Sequence, residues 1–199
     1  MGEQGIRIGT ERDRQAVIDV ITLGFATDPM ARWSLPTAAL YLAVMPELID
    51  AFGAKAFELG SAYCADDLSG AALWLPPGVE PDNERLAALI ARHAPAAVQD
   101  DAGRVFEQMA AYHPHEPHWY LPVIAVDPAR QGQGLGDALL ARALERCDAD
   151  HLPAYLESSN PRNITLYRRH GFELIGTIQA GSSPPIFPMI RKPRPKVLS

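Results

Sequence analysis

At 199 residues the chain has room for one domain of ordinary size and little besides. With 47% hydrophobic and 21% charged residues it can bury a full core and falls outside the range of disordered polymers. Its 18 basic and 24 acidic residues give a net charge of −6, which supplies no basic face for nucleic acid or an anionic membrane, so neither is an expected partner.

The longest apolar run, 38–45, stops at Pro46, well short of the roughly 18 residues of a membrane span. The start carries no basic stretch followed by an apolar one, so the expected location is cytoplasmic. Cys64 and Cys147 then read as reduced thiols, too few to hold a zinc ion, and no metal is expected.

In chain order, Ile6-Arg7-Ile8 alternates as a short strand, and Thr10 caps a helix whose buried stripe is Val17, Ile18, Ile21 and Phe25. Residues 27–36 fit no period and read as a loop, with Trp33 either plugging the core beneath it or contacting a ligand. Residues 37–57 read as a helix interrupted or bent at Pro46. The runs 61–65 and 71–75 have the length and turn chemistry of a hairpin. Helices follow at 82–93 and 98–112, separated by Pro95. After Gly181 only 186–190 could pair, and Pro188 confines that strand to an edge or a bulge. An exposed apolar edge near Ile186 would offer a dimer contact, so the expected state is a monomer or homodimer.

The chemistry is concentrated at 119–136, which reads as strand, turn, glycine-rich loop and helix start. Free amides at a helix start, on the positive end of its dipole, suit a pyrophosphate, and glycines let phosphates approach the backbone. Arg130 adds a positive charge and Gln131 an amide donor. A P-loop reading fails because no Gly-Lys-Ser/Thr follows Gly136. A dinucleotide reading needs a small third residue where Asp137 stands, although Glu157 imitates its ribose-binding acid.

Gln131-x-x-Gly134-x-Gly136 resembles the acetyl-CoA loop of the GNAT N-acetyltransferase superfamily. The likeness continues through 155–163 and through Tyr167-Arg168-Arg169-His170-Gly171-Phe172. Residues 114–121 and 156–163 look like the corresponding parts of the puromycin N-acetyltransferases within that superfamily. The likeness is weak before Pro114, so it carries no substrate.

This resemblance implies a single α/β (α+β) domain over 1–199, with an acetyl-CoA core at about 118–178. Its sheet would be mixed and mostly antiparallel, with helices on both faces and a split between strands 4 and 5. Pro122, which cannot donate to a ladder, fits a bulge or split at that point. Acetyl-CoA is the implied cosubstrate. It would lie against Ile124, Ala125 and Val126, the loop residues Arg130, Gln131, Gly132, Gln133, Gly134, Leu135 and Gly136, and Asn160, Asn163 and Tyr167. Tyr167 would protonate the departing thiolate, and Asn160 would bond the pantetheine arm.

Glu157 is the first choice of general base, with pairing to Arg162 or Arg168 as its structural alternative. His113, His115, Glu116 and His118 are its rivals. The expected acceptor is a small-molecule amine, with Phe25, Trp33, Tyr41, His118 and Tyr120 as pocket walls. A non-catalytic acyl-CoA sensor and a protein or peptide amine acetyltransferase are the alternatives.

Overall fold

A computed structural model describes residues 5–194. Its seven-stranded sheet runs β1 (Ile6–Ile8), β2 (Ala62–Ala65), β3 (Gly70–Leu75), β4 (Trp119–Val126), β5 (Ala154–Ser158), β7 (Phe187–Arg191) and β6 (Glu173–Leu174). Every neighbouring pair is antiparallel except β4 and β5, which are parallel.

One face carries α1 (Arg14–Gly24), α3 (Ala38–Gly53) and α5 (Asn83–His93), with α2 (Pro29–Ser34), α4 (Lys55–Glu58) and α6 (Ala96–Tyr112) beside them. The other face carries α7 (Leu135–Asp150), with α8 (Ile164–Arg169) contributing Tyr167. The strands supply both cores by alternation: Cys64, Ala71 and Leu73 point to the α1 and α3 side, while Tyr63, Ala72 and Trp74 point to α7. Both cysteines are free and buried.

Three expectations are corrected, and of the two alternatives at Pro46 the interruption is excluded. Residues 27–36 hold the short helix α2, started by Asp28, whose carboxylate accepts from the amides of Met30 and Ala31 ahead of Pro29 at the first helical position. Six residues are too few to show a helical period. The helix containing Pro46 is uninterrupted, because the carbonyl that loses its donor belongs to Leu42, which stands 65% exposed where water can serve it. The strand around Pro188 is interior, lying between β5 and β6. Its Pro188 carbonyl accepts from Ile175, so the missing donor also faces the short β6 side and the β5 ladder is spared. Ile186 is buried against Val105 and Ile178, and so forms no exposed edge.

The feature that positions the site is a β-bulge in β4. Leu73 pairs with Val123 but Leu75 with Tyr120, so three steps of β4 match two of β3. The parity of β4 flips there: Trp119 and Leu121 face α7, then Ile124 and Val126 do, while Val123 and Ala125 turn to the other core. Pairing with β5 stops at Leu121 and Leu156, and the two strands part beyond Pro122.

Candidate active site

The parted strands open a cleft of about 480 Å³. The β4 edge contributes Pro122, Ile124, Ala125 and Val126, and with no strand opposite them alternate amides there are left for a guest. At one end the turn after β4 brings Arg130, Gln131, Gly132, Gly134, Leu135 and Gly136 to the wall. Gly132 and Gly134 have φ of +74° and +85°, a region that disfavours side chains, and a Cβ on either would stand in open space. Among the described residues, the amides of Gly134, Leu135, Gly136 and Asp137 donate to no protein acceptor. A row of free amides at the head of a 16-residue helix fits a pyrophosphate, and Arg130, Arg162 and Arg169 stand around it.

Asp137, the residue that speaks against a dinucleotide loop, is paired with the Arg169 guanidinium at 2.9 Å and lies 3.1 Å from Nε2 of His170. Gln131 turns its amide back to the Val126 carbonyl at 3.2 Å, and Arg130 lies 3.5 Å from Asp67. Gln133 is not among the lining residues, and its side chain folds back to the Ala129 carbonyl.

Across the cleft, Asn160 caps the turn Pro161–Asn163 by accepting from the Arg162 amide, which leaves its own NH2 group uncommitted. Asn163 and Tyr167 line the same wall. The Tyr167 ring is buried against Phe172, and burial, then the charge of Asp28, pushes its hydroxyl above the ordinary tyrosine range. It therefore holds a proton throughout the physiological range.

Asp28 was not among the expected site residues. It is buried, caps α2, receives the Ser159 hydroxyl at 2.7 Å and lines the cleft. Burial raises its pKa, against the opposing hydrogen bonds from Ser159, Ala31 and Met30. The Asp28-Pro29 dipeptide is a helix-start signal that could have disclosed it.

Glu157 sits where three cavities meet: the cleft, an open pocket of about 880 Å³ and an apolar recess of about 140 Å³. Its side chain is 4% exposed, and among the described residues it pairs with no arginine; the nearest cation-forming group is His113, 3.9 Å away. The open pocket is walled by Phe52, Ile90, Phe106 and Met109, carries Glu80 and Glu107, and contains neither lysine nor arginine. Phe25, Trp33 and Tyr120 line the recess, and Tyr120 the open pocket as well. Two expected pocket walls lie outside these three cavities. Tyr41 is a core residue whose hydroxyl donates to the Thr22 carbonyl. His118 is buried behind the wall, held by the Glu116 carbonyl and His113, and lines none of these cavities.

Residues 45–172 match the acetyltransferase (GNAT) family model. The chain belongs to the GNAT acetyltransferases. This GNAT chain is 35% identical over 78 residues to an uncharacterized N-acetyltransferase of Schizosaccharomyces pombe, a match covering 38% of the chain and 32% of that protein. It is 42% identical over 67 residues to a mycothiol acetyltransferase of Kineococcus radiotolerans, covering 32% and 22%. The matched stretch thus spans a third or less of each curated relative's length. A crystal structure described as histone acetyltransferase HPA2 and related acetyltransferase, from Corynebacterium glutamicum, superimposes on 99% of this GNAT chain and 100% of its own, with TM-score 0.68 and 26% identity.

Proposed function

We propose that the chain is an acetyl-CoA-dependent N-acetyltransferase that moves an acetyl group directly onto the amine of a small molecule. One observation carries this reading: a single split in the sheet joins a cationic, amide-lined arm to an acidic, apolar one, with a buried carboxylate at the junction. The first arm suits a pyrophosphate and a pantetheine lying along β4. The second suits an amine on an apolar body, since it offers carboxylates and neither lysine nor arginine. The mycothiol acetyltransferase match supports a small acceptor.

When bound, acetyl-CoA supplies an activated thioester whose carbonyl can be attacked. Backbone amides of β4 beyond Pro122 orient and polarise that carbonyl. Glu157 takes a proton from the incoming ammonium, and its enclosure strengthens that interaction. Tyr167 holds a proton at its hydroxyl for the departing sulfur.

Thiol release from acetyl-CoA is the test, run with spermidine, phenethylamine, glucosamine and a lysine-containing histone-tail peptide. Turnover is expected on at least one small amine. Turnover on the peptide alone would replace the small acceptor by a protein one, and thermal stabilisation by acetyl-CoA without turnover on anything would favour a sensing domain.

A further inference from the structure

The loop between α6 and β4 holds a chain of hydrogen bonds that the reaction outlined above does not use. Nδ1 of His118 lies 2.7 Å from the Glu116 carbonyl, and its Nε2 lies 3.0 Å from Nε2 of His113. Nδ1 of His113 lies 3.9 Å from Oε1 of Glu157. A carbonyl only accepts, so Nδ1 of His118 carries hydrogen, and in the neutral ring Nε2 is a bare acceptor. His113 must then carry hydrogen on Nε2, so that in the neutral ring its Nδ1 lone pair faces Glu157. One acceptor-only anchor thus sets the tautomer of two rings. His118 is buried, and burial lowers its affinity for a proton, which keeps it in the neutral form this arrangement needs.

We propose that His113 takes over the proton that Glu157 removes from the acceptor and releases it into the open pocket, with His118 as the positioning residue that keeps His113 Nδ1 bare. The inference rests on the reading of Glu157 as base. Transfer of acetyl to R–NH3+ forms the C–N bond, breaks the C–S bond and yields amide, thiol and one proton. Glu157 takes that proton from the ammonium, and the His113 lone pair, 3.9 Å away, takes it in turn through one water. The carboxylate is thereby restored for the next turnover. The imidazolium of His113, on a side chain 21% exposed and lining the pocket, then gives the proton to water.

The groups facing His113 come from every side. They are Tyr155 and Glu157 from β5, Tyr120 from β4, and His115 and His118 from its own loop. Glu80 comes from the segment after β3 and Glu107 from α6, whereas α5 offers the pocket only Asn83, Ala87, Ile90 and Ala91. The two tyrosines hold their protons, Tyr120 and Tyr155 both being pushed upward by burial and then by the Glu157 charge. His113 is left as the ring that can accept from Glu157.

The first arm of the test needs no acceptor. Long-range proton–nitrogen spectra of the imidazoles above neutral pH are expected to show His118 protonated on Nδ1 and His113 on Nε2. A His113 ring protonated on Nδ1 overturns the proposal.

The second arm uses acetyl-CoA with phenethylamine or spermidine, whichever turns over. His113→Ala should lower kcat roughly tenfold or more without raising the KM for acetyl-CoA. Added imidazole should restore much of the loss, a rescue that a purely structural role would not give. His118→Phe, which frees the His113 tautomer, should lower kcat about threefold with a displaced pH profile. Wild-type kcat in His113→Ala, or a loss that imidazole leaves untouched in a folded variant, overturns the relay while the base reading stands on an inactive Glu157→Gln. A fully active Glu157→Gln removes both.

Discussion

Tyr167 and Asp28 face one cleft, and their environments make separate predictions. Tyr167→Phe keeps the ring packed against Phe172 and removes only the hydroxyl, so stability should change by under about 1.5 kcal/mol. Turnover should fall on the order of 10²-fold while calorimetric affinity for acetyl-CoA holds. Because burial keeps this hydroxyl protonated, its titration should not set the basic limb of the rate profile.

Asp28 works in the opposite sense. Its pKa is higher folded than unfolded, so the folded state binds the proton more tightly, and its contribution to stability falls as pH rises above about 4. Asp28→Asn keeps an acceptor for the Met30 and Ala31 amides and sheds the buried charge. Its urea stability relative to wild type should therefore grow from pH 4 towards 8. Asp28→Ala should instead lose about 1 kcal/mol for the missing cap.

Among the elements, the turn that opens α7 is the most sensitive to a single methyl group. Gly134 adopts φ +85° at the helix cap, and Gly134→Ala should cost roughly 1–2 kcal/mol of backbone strain. It should also raise the KM for acetyl-CoA, because the new Cβ enters the space in front of the free amides. Gly103→Ala, inside α6 with nothing within 4 Å of the added carbon, should instead gain about 0.5–1 kcal/mol in thermal or urea unfolding.

The strand, glycine turn and long helix are legible in the sequence because each has a signal of its own: a β-rich run, glycines where positive φ is needed, and apolar residues at helical spacing. The bulge is legible for the same reason, since Pro122 cannot sit in an unbroken ladder. What stays hidden depends on tertiary contact. A six-residue helix shows no period, so α2 and Asp28 are lost together. Tyr41 and Trp33 carry the same aromatic signal, yet one is locked in the core and the other lines the recess. Proline in β7 misleads because its harmless side can be known only once β6 is seen to stop short.

At the scale of the whole molecule, Arg191 ties the far half of the sheet to the end of α7. Only 3% exposed, it donates two bonds of 2.8 Å to Asp148 and one of 2.9 Å to the His170 carbonyl. Burial works to raise the pKa of Asp148, but the bonds from Arg191 and the Arg194 amide outweigh it and hold the carboxylate below its ordinary value. That stabilisation is present above the ordinary aspartate range and is lost as pH falls through the folded pKa. Arg191→Leu should cost about 3–5 kcal/mol, a fall of roughly 10 °C in Tm, and should flatten the acid limb of the stability profile.

The bulge in β4 has a consequence of another kind. Because side chains alternate along a strand, the extra residue at Leu121 and Pro122 decides which half of β4 looks at which core. Replacing a residue there alters a wall; adding or removing one would send Trp119 and Leu121, or Val123 and Ala125, into the wrong layer. Mutational drift can therefore rewrite the letters of this stretch but not its count, and insertions that remodel the acceptor side must fall in the connecting segments.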